Sequence, residues 1–327
     1  MLKTFATAFT GFDLFGIGAI QAGYKGVFGI DIHQPAVDFC HRNGAEYVVC
    51  GDVRSYDYSR IETGHSQFSP ECKSFSYANV EGKESDLDRQ FARAIVRSIA
   101  ETKSETVSIE NVAGYAREDC ESFHQIILPF LAEDYYYWYS VYCAADFGVP
   151  QVRKRLILRA IRKSSGRYLK PLVPTHSRNP DSGLLPWVSW YDAIEEAGII
   201  PSLKPIKLTN WQRASLIEQG FDIDGQTCLI SKDGSRRKKG YENLFAVIIP
   251  KDSPTPTIKA LGHDGHSQQY TIVINGEAFR ISTAALAVWQ TVPLDLEYAD
   301  KDDVNCMGIG NGVPCLFAQK IMESFAP

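Results

Sequence analysis

Three short segments carry side chains that could act together on one reactive carbon. Cys72 stands in Ser69-Pro70-Glu71-Cys72-Lys73-Ser74-Phe75-Ser76, which reads as a polar loop rather than a core element. Glu110-Asn111-Val112 follows, and then Gln151-Val152-Arg153-Lys154-Arg155. A thiolate is the side chain best suited to adding to electron-poor carbon. A carboxyl group can donate or hold a proton as charge builds on the attacked molecule. Paired guanidinium groups depress a thiol's pKa, which such chemistry needs near pH 7. Nucleophile, acid and cation in one chain point to covalent catalysis.

These segments need a rigid scaffold, and the first ~165 residues supply its pattern. Leu2–Phe9 reads as a strand, Leu14–Ala22 as a helix ending at Gly23, and Val27–Asp31 as the next strand. A short helix at Pro35–His41 and a strand at Tyr47–Cys50 follow. Asp86–Lys103 is a long amphipathic helix with Phe91, Ala94, Ile95 and Ile99 on its apolar side. Val107–Ile109, Tyr136–Ala144 and Arg155–Ile161 are further strands, with a helix at Cys120–Phe130. Strands alternating with helices predict an α/β fold: a Rossmann-like, doubly wound, mostly parallel sheet. From about Lys170 to Phe279 the pattern gives way to Pro, Gly and Ser punctuation and short strands such as Leu244–Ile249 and Tyr270–Ile274. A second, smaller mixed domain is expected there. Thr283–Gln290 and Pro314–Ser324 read as closing helices.

Composition narrows the class. A chain of 327 residues, 44% hydrophobic and 22% charged, fits a soluble globular protein. Its N-terminus is too short and polar for a signal peptide, and no apolar run approaches a membrane span. Eight cysteines form no C-x-x-C pair, so neither zinc nor a disulfide framework is expected, and a reducing cytoplasm fits. The net charge of −5 argues mildly against a nucleic-acid partner, but the distribution argues for one. Nine Lys or Arg and no acid lie between Gln151 and Arg178, and Ser235-Arg236-Arg237-Lys238-Lys239 makes a second cluster. Such patches can form a phosphate footprint, although a solvated surface face remains an alternative for the second.

Phe9-Thr10-Gly11-Phe12-Asp13-Leu14 follows a strand and opens a helix, where an open α/β sheet binds a nucleotide-like ligand. A rival register, Phe15-Gly16-Ile17-Gly18, would leave the helix too short before Gly23. With Ala22-Gly23, Asp31, Gly51-Asp52-Val53, the Cys72 loop, Glu110-Asn111-Val112 and Asp146–Arg155, this turn resembles the ordered signature of the DNA cytosine-5 methyltransferases. Gly310-Asn311-Gly312-Val313-Pro314 is similar to that family's closing segment, and Arg280-Ile281-Ser282-Thr283 with Ala287, Gln290 and Pro293 to the block before it. The resemblance covers roughly residues 5–165 and 279–325.

That resemblance implies transfer of a methyl group from S-adenosylmethionine, without a metal, to C5 of a cytosine turned out of double-stranded DNA. Cytosine C5 is a poor nucleophile until a group adds to C6. The resemblance gives that addition to Cys72, the N3/N4 edge of the base to Glu110, the base O2 to Arg155 and a supporting place to Arg153. It assigns Phe9, Gly11, Asp31, Ile32, Asp52, Val53, Asn311 and Val313 to the cofactor pocket, with Asp31 on the ribose and Asp52 on the adenine amino group. It divides the chain into a catalytic domain (1–169 and 300–327) and a target-recognition domain (170–299). The latter's side chains, with Lys259, His263 and His266 as candidates, would read groove edges. A monomer in the cytoplasm at the nucleoid, accompanied by a cognate restriction endonuclease, is the implied setting.

The sequence departs from the family in the turn and around the cysteine loop. Asp13 and Leu14 replace glycines, Glu71 stands where a proline precedes the cysteine, Lys73 replaces a glutamine, and Ile61–Phe68 is polar where an apolar strand is expected. A carboxylate beside a thiol raises its pKa unless a cation compensates. An RNA (tRNA) cytosine-5 methyltransferase and a catalytically silent DNA-binding relative therefore stay open as alternatives. A Rossmann oxidoreductase would leave Cys72, Glu110 and Arg155 without roles.

Overall fold

The computed structural model describes residues 2–71, 73–75, 83–221, 225–231, 247–260 and 270–326. Its centre is a seven-stranded sheet in the order β3-β2-β1-β4-β5-β8-β6. These strands are β1 (Thr4–Ala8), β2 (Lys25–Asp31), β3 (Val48–Cys50), β4 (His65–Phe68), β5 (Thr106–Asn111), β6 (Tyr135–Cys143) and β8 (Lys154–Arg162). The first five run parallel, while β8 lies antiparallel to both β5 and β6. The doubly wound sheet is the expected one.

Helices cover both faces. α3 (Asp86–Thr102) packs Ile95 and Ile99 against Val107, Ile109 and Leu158 on one side. A Ser85 capping box fixes its start, with Ser85 and Asp88 each bonding the other's backbone amide. α1 (Leu14–Gln21) and the C-terminal helix Cys315–Glu323 cover the other side, where Phe15, Ala19, Phe317 and Ile321 meet Phe5 and Ile157. A Cβ on Gly18 would stand 2.2 Å from the Cys315 carbonyl oxygen, so glycine permits this close approach. Gly18→Ala is expected to lower stability by about 2 kcal/mol, read as a lower urea midpoint with an unchanged slope.

β4 corrects the expectation of an apolar strand. His65, Ser66 and Gln67 are all buried at the middle of the sheet. The His65 ring is met by partners distant in sequence, with Nδ1 2.9 Å from Thr106 Oγ1 and Nε2 2.9 Å from Ser108 Oγ, whereas Gln67 Nε2 donates to nearby Ser69 Oγ (2.6 Å). Thr106 and Ser108 both belong to β5. Burial holds the His65 imidazole neutral and pushes its pKa down to about 3.

The expected helix at Cys120–Phe130 divides in two. Ser122–Ile127 winds as a π-helix and α4 (Leu128–Asp134) continues it. The change falls just before Pro129, which has no N–H and whose ring crowds the carbonyl four residues back. The Glu84 carboxylate caps the start, accepting from the amides of Glu121 (2.7 Å) and Ser122 (2.8 Å).

A second, five-stranded antiparallel sheet uses Lys204–Ile206, Cys228–Ser231, Ile248–Pro250, Tyr270–Ile274 and Glu277–Arg280. Of the strand expected at Leu244–Ile249, the start lies outside the described residues, and Ile248–Pro250 is a strand. Asp302–Asn311 forms a helix that sequence patterning missed, and its end contains Gly310 and Asn311. A single apolar cluster joins Phe12 and α2 (Gln34–Arg42) to Trp190, Trp289, Ile272 and Ile309. Among the described residues, no helix is long and apolar enough to cross a membrane.

Candidate active site and cofactor cradle

Glu110 and Asn111 are the last two residues of β5, and both are buried. They pair across the ladder with Ile157 and Leu156, so Arg155 lies just past them on β8. Arg155 Nε sits 3.0 Å from Glu110 Oε1, with both side chains mostly shielded from water. Arg155 Nη1 also donates to the Lys154 carbonyl (2.8 Å), which holds the guanidinium in place. The acid and the cation expected at the reacting centre therefore form one pair.

Cys72 lies outside the described residues, but its flanks are tied to the chain that follows β5. Asn111 Nδ2 donates to the Pro70 carbonyl (3.1 Å), while Asn111 Oδ1 accepts from the Val112 amide (2.8 Å). On the other side, the Phe75 ring meets Tyr115 edge-on at 4.8 Å. The Phe75 carbonyl oxygen would stand only 2.2 Å from a Cβ on Gly114, so the two backbones touch. Asn111 was not among the expected site residues. Its place beside Glu110 was the available signal, since an amide there can bond two backbone groups at once.

Arg153 corrects an expectation. It does not stand with Arg155 but is fully buried, donating to the carbonyls of Ile258 (3.2 Å), Gly310 (3.0 Å) and Asn311 (3.4 Å). The last two are orphan carbonyls at the end of the Asp302–Asn311 helix, where a cation is favoured. The parting of the two arginines follows from the ladder. β7 (Gln151–Val152) pairs with Thr255–Pro256, whereas β8 pairs with β5 and β6, and Arg153 falls at the changeover. Arg153→Ala is expected to cost about 3 kcal/mol of stability, seen as an earlier urea midpoint. Gln151 and Gln290 extend the same network: Gln151 Nε2 donates to Gln290 Oε1 (3.0 Å), and Gln290 Nε2 donates to the Ile309 carbonyl (2.6 Å).

The basic run is also largely scaffold. Arg159 is buried and donates to the Lys170 carbonyl and Ser324, and Arg167 pairs with Glu105. Lys163 caps the carbonyls of Ala132 and Glu133 at the end of α4. Lys154, Lys170 and Arg178 are exposed. The 235–239 cluster, with His263 and His266, lies outside the described residues.

The glycine turn adopts the first of the two registers. Gly11 has φ of +55° in the left-handed region, with open space where a Cβ would stand, and α1 begins at Leu14. Gly16 and Gly18 fall within α1 instead. The Gly11 amide donates to Asp31 Oδ2 (2.7 Å) and the His33 amide to Asp31 Oδ1 (2.8 Å). The Asp31 carboxylate is thereby aimed, and it keeps lone pairs for further donors. Phe9 directly follows β1 with φ of +58°, its ring edge-on to Phe91 at 5.1 Å. Ile32, at the end of β2, is 71% exposed, leaving an apolar side chain uncovered beside Asp31.

Other expected pocket residues sit less simply. The Arg54 guanidinium clamps Asp52 through both carboxylate oxygens, at 2.6 Å for the shortest contact, and lowers its pKa. Val53 and Val313 are buried within apolar clusters. Asn311 is exposed at the end of its helix, and Gly312 lies against Leu14 with no room for a Cβ. The cradle therefore comprises the ends of β1, β2 and β3: an open glycine corner, an aimed acid and an uncovered apolar side chain. Those features suit a ribose-bearing ligand.

Residues 4–326 match the model of the C-5 cytosine-specific DNA methylase family. The chain is 26% identical over 98% of its length to the Type II methyltransferase M.NgoFVII of Neisseria gonorrhoeae, covering 85% of that protein. It is 24% identical over 99% of its length to M1.HphI of Haemophilus parahaemolyticus, covering 87% of that protein. In fold it is similar to S. pombe Dnmt2, with a TM-score of 0.62, 13% identity and coverage of 98% and 96% of the two chains. The Entamoeba histolytica methyltransferase EhMeth gives a TM-score of 0.58 at 16% identity, covering 98% and 97%.

Proposed function

Because the chain belongs to the C-5 cytosine-specific DNA methylase family, we propose that it methylates C5 of a flipped-out cytosine within a specific double-stranded DNA sequence through a Cys72–C6 adduct. The observation that carries this reading is the Glu110–Arg155 pair at 3.0 Å, beside the Asn111 tether to the Cys72 loop.

Each residue has a task in that cycle. The Cys72 thiolate adds to C6, and the electrons of the C5–C6 double bond make C5 nucleophilic. Glu110 holds the N3/N4 edge and relieves the negative charge that accumulates on the ring. Arg155 fixes the Glu110 carboxyl and would meet O2. S-adenosylmethionine, when bound, supplies an electrophilic methyl group on a sulfonium sulfur. Loss of the C5 proton then restores the double bond and expels the Cys72 sulfur. Phe9, Gly11, Asp31, Ile32 and Asp52 would hold the cofactor, Asp31 through the ribose hydroxyls. The base must leave the helical stack because C5 and C6 are unreachable within it. Residues 170–299 are assigned to target recognition and 1–169 with 300–327 to catalysis, and a cognate nuclease is the expected companion.

The test supplies tritiated S-adenosylmethionine to the full chain with genomic DNA or tRNA as acceptor. Conversion-based sequencing of DNA from expressing cells then locates the product. Label in DNA, at cytosines within one recurring sequence, is the expected result. Label confined to tRNA, or absent from both, overturns the proposal.

A further inference from the structure

Asp13 stands where the resemblance expects a turn glycine, and its backbone has the matching left-handed φ of +50°. Its carboxyl group does not reach solvent but folds beneath the turn, leaving the residue only 3% exposed. There Tyr47 Oη donates to Oδ2 (2.7 Å) and Thr7 Oγ1 donates to Oδ1 (3.3 Å). Two glycines keep room for the pair. A Cβ on Gly16 would fall 2.1 Å from Asp13 Oδ2, and one on Gly26 would fall 2.3 Å from the Tyr47 ring.

The contacts continue into the cofactor cradle. With its own proton on Asp13, Thr7 Oγ1 accepts from Thr10 Oγ1 (3.0 Å), which in turn accepts from the Ile30 amide (2.9 Å). The Asp13 amide donates to the Thr10 carbonyl (2.9 Å), closing the corner that carries Gly11. A chain of hydrogen bonds thus runs from Tyr47 through Asp13, Thr7 and Thr10 to the strand that presents Asp31. We propose that Asp13 and Tyr47 form a buried brace that sets the shape of the Phe9–Asp13 turn, making Asp13 a positioning residue for S-adenosylmethionine. This rests on the reading of that turn as the cofactor cradle.

The brace explains how the chain dispenses with a glycine at this corner. Asp tolerates the left-handed conformation better than most residues because its short polar side chain bonds locally. Here the bonds are to Tyr47 and Thr7, and they hold the corner in one state. Asn offers one acceptor for Tyr47 and one donor for Thr7, so it can keep both bonds without the charge.

Titration calorimetry with S-adenosylmethionine and S-adenosylhomocysteine tests the proposal on the full chain. Circular dichroism at the titration temperature confirms that each variant is folded. Tyr47→Phe, which keeps the ring and removes only the hydroxyl, is expected to weaken both ligands roughly tenfold. Asp13→Ala and Gly16→Ala, the latter filling the carboxyl's seat, are expected to do the same, while Asp13→Asn stays near the unaltered protein. Methyl transfer at saturating cofactor is expected to be unchanged in Tyr47→Phe. Unchanged affinity in Tyr47→Phe, or equal losses in Asp13→Asn and Asp13→Ala, overturns the brace. Failure of the unaltered protein to bind either ligand overturns the cofactor reading beneath it.

Discussion

Glu110→Gln is expected to lower kcat by roughly 10³-fold while leaving the thermal midpoint nearly unchanged. The separation of effects follows from the site. Gln keeps an oxygen that can accept from Arg155 Nε, now 3.0 Å from Glu110 Oε1, so the buried guanidinium is not abandoned. What Gln cannot do is take or give a proton at the N3/N4 edge. Arg155→Ala is expected to damage activity and stability together, because it leaves the mostly buried Glu110 carboxylate without its cation. Combined, the two substitutions should cost less than their separate losses added, since they break one shared interaction. Single-turnover methyl transfer with saturating DNA reads all three.

Asp13→Asn is expected to stabilise the protein by up to about 4 kcal/mol at pH 8 and to have little effect at pH 4. Burial raises the Asp13 pKa from 3.8 to about 7, and the opposing bonds from Tyr47 and Thr7 do not cancel it. Between those values the folded chain holds a proton that the unfolded chain has released. Stability therefore falls as pH rises from about 4 to about 7, and Asn removes that slope. His65 acts with the opposite sign. Its folded pKa of about 3 lies below the ordinary 6.5, so its contribution is complete above pH 6.5 and is lost toward pH 3. In the unaltered protein the two slopes oppose each other between about pH 4 and pH 6.5. Urea melts of Asp13→Asn across this range should expose the His65 slope alone, with stability rising as pH increases. A flat profile in Asp13→Asn would contradict the burial of His65, and a difference from the unaltered protein that does not grow between pH 4 and pH 7 would contradict that of Asp13.

The parallel sheet and most of its helices were legible because strand and helix periodicities are local. β4 was not, since the burial of His65 depends on Thr106 and Ser108, some forty residues away. The Asp302–Asn311 helix was hidden for a related reason. Gly308 and Gly310 weaken its local signal, yet side-chain-free positions are required where Phe12 and the Lys259–Ala260 backbone press against it. Within the candidate site, Glu110 meets Arg155 and the Gly11 amide meets Asp31, contacts between segments that the motifs had singled out separately. Arg153 parts from Arg155 because the ladder changes partners at that residue, which spacing alone does not show. Asp13 read as a defect in a glycine turn. Its compensation lies in Tyr47, Gly16 and Gly26, and these become related only when the strands are assembled.

The proposed reaction requires a transient bond between the Cys72 sulfur and C6 of an extruded cytosine. A 5-fluorocytosine oligonucleotide pool, incubated with the full chain and S-adenosylmethionine, tests it directly because fluorine at C5 cannot leave as a proton does. A denaturant-resistant protein–DNA adduct mapped by mass spectrometry to Cys72, absent in Cys72→Ser and formed far more slowly in Glu110→Gln, is the predicted result. Methyl transfer to DNA that persists in Cys72→Ser, or an adduct at another residue, would contradict it.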